Sequence, residues 1–343
     1  MAETIAVAMS GGVDSTVCAA LLRENYTVRG FFMDLGLPDG HEQIAAVRVI
    51  AARLGIELEV VDLARVFREK IIDYFCRSYA AGKTPNPCVL CNPLIKCGEL
   101  LAAVRRGGIE QMATGHYVRL QRDESGVRLL AGADAGKDQS YFLCGLSREQ
   151  LRHLVFPLGE MRKQEVYRLA RELGFAHAHD AESQDICFLK HQGLADFLKN
   201  RTDGAKGDIV TRDGRKVGSH AGVFHYTVGQ RRGLGVCDNT PYYVIGLDAA
   251  KNQVIVGKEA DLWHDRLLVG RVSWLSGAPP PLPARLMVKI RYRHQPAVAE
   301  LSRAGDLYLV RFAEAQRAIT PGQVAVFYDH EALIGGGEIV GRA

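Results

Sequence analysis

The stretch "TIAVAMSGGVDS", residues 4–15, decides the fold. Residues 4–9 form a short apolar run that suits a buried strand. Ser10, Gly11 and Gly12 then let the backbone turn tightly with N–H groups pointing outward. Residues 13–24 read as a helix with Val17, Ala20, Leu21 and Leu22 on one side. Asp14 and Ser15 lie at its start. A helix N-terminus with free N–H groups is an anion site. No Gly-Lys-Ser/Thr follows, so this is not a Walker loop, and the G-x-G-x-x-G dinucleotide fingerprint is absent.

Strand and helix signals alternate onward from this turn. "YTVRGFFM" (26–33) and "IELEVVDL" (56–63) read as strands, with a helix over 41–55 closed by Gly55 between them. A helix over 65–80 leads to a loop, "TPNPCVLCN" (84–92), and a further helix over 93–106 precedes a strand, "QMATGHY" (111–117). Two more helices are expected over 148–154 and 163–173. This alternation predicts a doubly wound parallel α/β sheet. After about residue 205 short alternating strands with turn signals take over, including Asp-Gly at 213–214. The expectation is a catalytic unit over 1–205, a central β unit over 206–275 and a C-terminal β-barrel over 276–343, with "SGAPPPLP" (276–283) as linker.

The 343 residues are 47% hydrophobic and 24% charged, a globular composition long enough for several cores. No apolar run approaches the roughly 20 residues that span a bilayer. The N-terminus lacks a basic signal region, so no membrane partner and a cytoplasmic location are expected. There the eight cysteines start reduced. The net charge of +4 is compatible with a nucleic-acid partner without establishing one. Cys88 and Cys91, two residues apart between prolines, suit a metal, a redox disulfide or a sulfur carrier. Cys18, Cys76 and Cys144 lie in apolar contexts where an inert thiol is the default.

SGGVDS after a strand resembles the pyrophosphate loop of the ATP pyrophosphatases, which split ATP into AMP and pyrophosphate and place AMP on an oxygen. TPNPxxxCN, ATGHY (113–117), KDQSYFL (137–143), ICF (186–188), HYTVGQRRGLG (225–235) and TPGQxAVFY (320–328) follow in order. Together they resemble the tRNA-specific 2-thiouridylase family across essentially the whole chain. The resemblance implies ATP-dependent replacement of O2 of the tRNA wobble uridine by sulfur, with ATP and Mg²⁺ required. Ala8, Met9, Ser10, Gly11, Gly12, Val13, Asp14 and Ser15 would then hold the nucleotide, with Met33 and Gly115 lining its pocket. Asp14 would organise Mg²⁺ and phosphates. Cys91 would be the nucleophile and Cys187 the persulfide carrier, joined in a transient disulfide. Thiolates suit both roles, being nucleophilic and quick to exchange sulfur.

The partners implied are the tRNA anticodon stem-loop and a sulfur donor such as a cysteine desulfurase or a sulfur-relay protein. Asn86, Pro87, Cys88, His116, Lys137, Asp138, Gln139, Arg291, Tyr292 and Gln323 would contact tRNA. "RLMVKIRYRH" (285–294) gathers Arg285, Lys289, Arg291 and Arg293, which strand alternation would project to one face. Arg231 and Arg232 add further positive charge for the phosphate backbone. The chain departs from the family's common pattern at Cys88, where relatives often carry aspartate. Three thiols, Cys88, Cys91 and Cys187, could instead ligate a [4Fe–4S] cluster, and zinc with Cys97 is a further alternative. The persulfide relay is ranked first. Two other functions stay open: a small-molecule amidotransferase- or ligase-type ATP pyrophosphatase, and a non-enzymatic metal-binding RNA module.

Overall fold

The computed structural model describes residues 2–124, 126–175, 186–190, 192–199, 201–202 and 204–343. Strands β1 (Thr4–Ala8), β2 (Thr27–Asp34), β3 (Glu57–Asp62) and β4 (Met112–Ala113) are parallel. After a hairpin of β5 (Val118–Asp123) and β6 (Gly126–Ala131), the short β7 (Leu154–Val155) pairs parallel to β4. The sheet order is β3-β2-β1-β4-β7, so the strand order reverses between β1 and β4. Successive β1 residues feed opposite cores. Ile5 and Val7 pack with Val17 and Val28, whereas Ala6 packs with Phe67, Ile71 and Phe75. A sheet buried on both faces is the doubly wound expectation realised.

Helix α1 (Val13–Leu22) follows the glycine turn, and α2 (Gly40–Leu54) ends on left-handed Gly55, as the sequence predicts. The helix expected over 65–80 runs over 64–80. The expected cysteine loop is different. The chain enters a helix at Pro87, and Pro87–Arg106 is continuous. Proline at the first helical position needs no N–H there, and its ring presets the helical φ. This helix is long and apolar enough to cross a membrane by length and composition, which the sequence reading did not anticipate. Half of its apolar window is buried, and Ile95, Cys97, Leu100, Leu101 and Val104 all join the core.

The second half divides into two β assemblies. Strands β8 (Gly207–Thr211), β9 (Lys216–His220), β10 (Tyr243–Asp248) and β11 (Gln253–Gly257) form a four-stranded sheet, β10-β11-β8-β9. Six antiparallel strands then close into a barrel: β12 (Trp263–Trp274), β13 (Ala284–Lys289), β14 (Ala297–Ala304), β15 (Leu307–Arg317), β16 (Val324–Asp329) and β17 (Ala332–Arg342). Pairing of β12 with both β15 and β17 completes the circle. The boundary expected at 276 therefore falls inside the barrel, and "SGAPPPLP" connects two of its strands rather than two units. The barrel also reaches back, because β6 pairs with β17 at Leu129 and Leu130.

Candidate active site

A cavity of about 1490 Å³ opens at the C-terminal ends of β1 and β4, where the strand order reverses. Open parallel sheets bind ligands at such points. Ala8, Met9, Ser10, Gly12, Val13, Asp14, Ser15, Met33 and Gly115 all line it. Gly11 takes φ of 80°, the left-handed conformation the turn requires. Ser15 Oγ donates to the Gly12 carbonyl at 3.0 Å and accepts from Ser10 N–H at 3.1 Å, which fixes the loop from within. Of the strand expected over 111–117 only Met112–Ala113 forms the ladder, and Thr114–Tyr117 lines the cavity wall. Gly115 has no room for a side chain, since a Cβ would stand 2.9 Å from the Asp14 backbone carbon and 3.0 Å from Ser15 N.

Asp14 is already engaged. Lys163 Nζ lies 2.8 Å from both its carboxylate oxygens, and Tyr117 Oη donates to Oδ1 at 2.7 Å. Lys163, first residue of the Lys163–Glu172 helix, is buried, and its ammonium sits over the rings of Tyr117 and Tyr167 at 5.4 and 4.7 Å. The sequence reading missed Lys163. Its surroundings, "MRKQEVYRL", look like an ordinary amphipathic helix start, and no local signal marks the distant carboxylate.

The cysteines come together from separate elements. Cys88 and Cys91 occupy the first turn of the Pro87–Arg106 helix. Cys187 starts a short 3₁₀ turn whose next residue, Phe188, is buried against Phe75 at 5.1 Å and Phe67 at 6.0 Å. That aromatic anchor on the 64–80 helix positions Cys187 in space. Burial pushes Cys91 up to about 12; Lys96 draws it back, and Cys187, Cys88 and Cys97 push it further. Cys187 lies on an exposed turn, yet desolvation, with Cys88 next, pushes its thiol up to about 11. Cys88 is raised by burial too. All three are free thiols, and none of them lines the cavity, although Asn86 and Lys96 do. Among the described residues no three His, Cys, Asp or Glu side chains converge into a metal-holding group. The thiols as arranged do not fit a cluster ligand set.

The residues expected at tRNA sort into two groups. Lys137, Lys289, Arg291, Tyr292 and Arg293 line the cavity mouth. Strand β13 stops at Lys289, so Arg291 and Arg293 sit on the following turn rather than alternating along a strand, and exposed Arg285 lies outside the cavity lining. Tyr292 packs against Phe142, ring centroids 4.4 Å apart and planes tilted by 39°. The other group faces inward. Asp138 accepts from Gly132 N–H, Ser140 N–H and Ser140 Oγ; Gln139 accepts from Tyr117 N–H; Gln323 donates to the Thr84 carbonyl at 2.8 Å. His116 is buried beside Thr114 Oγ1 at 2.7 Å and held well below its usual pKa by desolvation, so it is neutral. Arg231 and Arg232 fall on the loop before β10 and are absent from the cavity lining.

Three family profiles match in order: a tRNA methyl transferase HUP domain over residues 3–191, a PRC-barrel domain over 195–258 and an aminomethyltransferase β-barrel domain over 264–339. A tRNA-specific 2-thiouridylase MnmA from Desulfotalea psychrophila is 44% identical over 97% of this chain and 98% of its own length. One from Syntrophotalea carbinolica is 46% identical over 98% of each, and one from Trichlorobacter lovleyi 44% over 98% and 97%. The chain belongs to the tRNA-specific 2-thiouridylase family. The second family profile ends at 258 and the third starts at 264, so the thiouridylase barrel match begins with β12. Within this thiouridylase the sequence reading also missed Lys96, which lines the cavity and draws down the thiols of Cys88 and Cys91 against their burial.

Proposed function

We propose that this protein uses ATP to replace O2 of the wobble uridine of tRNA with sulfur. One observation carries the reading: a pyrophosphate-type loop and a basic mouth share one cavity, and its wall residues Asn86 and Lys96 flank two free thiols, Cys88 and Cys91, along the chain. The profile names speak of methyl transfer, but a glycine anion loop beside cysteines suits oxygen activation followed by sulfur attack.

The nucleotide enters as MgATP, the metal supplying charge neutralisation on the phosphates. Backbone N–H groups of the Ser10–Ser15 turn hold the pyrophosphate, and Met33 and Phe31 border the nucleoside. Lys137, Arg291 and Tyr292 at the mouth take the anticodon loop, with single-stranded bases free to stack. Uridine O2 attacks the α-phosphorus and pyrophosphate leaves. The terminal sulfur of a Cys187 persulfide then bonds to C2, and the C2–O bond breaks as AMP departs with O2. Cys91 thiolate attacks the Cys187 sulfur, the S–S bond to the transferred sulfur breaks, and 2-thiouridine is released. The resulting Cys91–Cys187 disulfide is reset by two electrons from a thiol reductant. No step is routed through a metal cluster. As chain units we propose the α/β part, the β8–β11 sheet and a barrel that starts at β12.

Mass spectrometry of tRNA incubated with ATP and a persulfide donor tests the reading. The expected result is one oxygen-to-sulfur exchange at the wobble uridine with tRNA-dependent AMP. Release of AMP without tRNA, and no thiolated nucleoside, would return the site to small-molecule chemistry.

A further inference from the structure

The helix that carries Cys88 and Cys91 is not α-helical throughout: Asn92–Leu100 is wound as a π-helix. Such turns are rare and cluster at functional sites. Three residues account for this one. Pro93 has no N–H to give an α-helical bond. Gly98 lets the Pro93 carbonyl approach so closely that a Cβ would lie 2.7 Å from it. Gln150, from the short Arg148–Arg152 helix, donates Nε2 to the carbonyls of Pro93 at 2.7 Å and Cys97 at 2.9 Å, while its Oε1 takes the Ser147 N–H at 2.9 Å.

Winding by five residues has a positional result. Residues i and i+5 share a turn in a π-helix, and Lys96 is five residues after Cys91. Its side chain lines the cavity, together with Asn86, Gly115 and His116. It makes no hydrogen bond or ion pair among the described residues. Lys96 also pulls down the thiols of Cys88, Cys91 and Cys187, so one cation serves both the nucleotide cavity and the cysteines.

We propose that Lys96 binds the phosphate of the adenylated uridine during sulfur transfer, and that Gln150 is its positioning residue. This rests on the thiolation reading above. When the C2–O bond breaks, the electron pair stays on oxygen and the departing AMP phosphate gains a negative charge. A cation already in the wall, at the cysteine end, stabilises that charge where it develops. Lys163 meanwhile remains on Asp14 at the loop end.

The test uses ATP labelled at the α-phosphate, full-length protein, tRNA and a persulfide donor, followed in a single turnover. Lys96→Met is expected to slow 2-thiouridine formation about 100-fold. tRNA-dependent pyrophosphate release should stay within about threefold of wild type. Labelled adenylyl-tRNA, transient in the wild type, should accumulate. Lys96→Arg should recover most of the rate. Gln150→Leu should give the same accumulation with a loss of about tenfold. The double variant should be no slower than Lys96→Met alone. Equal loss of pyrophosphate release and thiolation in a Lys96→Met protein that melts like wild type would overturn the assignment. So would undiminished thiolation. Absence of tRNA-dependent pyrophosphate release in the wild type would overturn the underlying reading, and this proposal with it.

Discussion

At the loop end of the cavity, Ser10, Gly12, Ser15, Asp14, Tyr117 and Lys163 are tied to one another by hydrogen bonds of 2.7 to 3.1 Å. At the cysteine end, Cys88, Cys91 and Cys187 sit out of the cavity as raised, protonated thiols, and Lys96 has no bonded partner among the described residues. The first end is pre-organised and the second is held in reserve. The contrast matches two successive reactions. Oxygen activation needs its donors in place before ATP arrives, whereas a thiolate exposed too early would react with any electrophile in reach.

The largest effect that could break this contrast comes from the thiols. Cys91→Ser and Cys187→Ser should each lower 2-thiouridine formation by at least about 10³-fold, yet leave tRNA-dependent pyrophosphate release in place. Thiolation at near wild-type rate in either variant, read by nucleoside mass spectrometry, would remove that cysteine from the relay. At the other end, Gly115→Ala should cut pyrophosphate release about 100-fold, because the new methyl would push the start of α1 out of line. Normal release from this variant would mean the loop end tolerates movement after all.

Asp14→Ala sharpens the comparison in stability rather than rate. It would leave buried Lys163 without its carboxylate, at a cost of about 3 kcal/mol, the lower edge of the range for breaking a buried pair because Asp14 is partly exposed. Asp14→Ala with Lys163→Met should recover most of the lost melting temperature without recovering ATP cleavage. A single variant as stable as wild type would show that the pair contributes no rigidity. The smallest effect is expected at the mouth. Arg291→Ala should weaken tRNA binding and reduce the log–log salt slope by about 0.7–0.9, with ATP binding unchanged. An unaltered slope in a filter-binding titration would take Arg291 off the phosphate path.

The loop end was legible in the sequence because its information is local. A strand, two glycines and a helix start occupy consecutive positions, and their placement follows from backbone chemistry alone. The cysteine end was legible only as residue types. Nothing between Cys91 and Cys187 reveals that Phe188 docks on Phe75, or that Pro93, Gly98 and Gln150 together wind a π-turn. Those are tertiary facts, as is the ion pair between residues 14 and 163. The barrel was anticipated, but β12 was assigned to its neighbour because the proline-rich stretch after it looks like a linker in isolation. The β5–β6 hairpin went unread for the same reason: its partner strand lies two hundred positions downstream, at β17.

That last pairing has a consequence for how the protein is made. Strand β6 finds its neighbour at Ala332 and Leu333, and the base of the cysteine helix is fastened by Lys83 to Glu338 at 2.7 Å and by Thr84 N–H to the Pro321 carbonyl at 2.9 Å. All of these partners lie far downstream, in β17 or just before β16. Until β17 has been made, the outer edge of β6 stays bare, a site open to mispairing with other strands. A truncated chain that stopped before β16 would carry every residue of the glycine loop and the cysteine helix, and still lack the floor on which that helix stands. The cysteine helix thus depends on strands of the barrel and not on the α/β part alone.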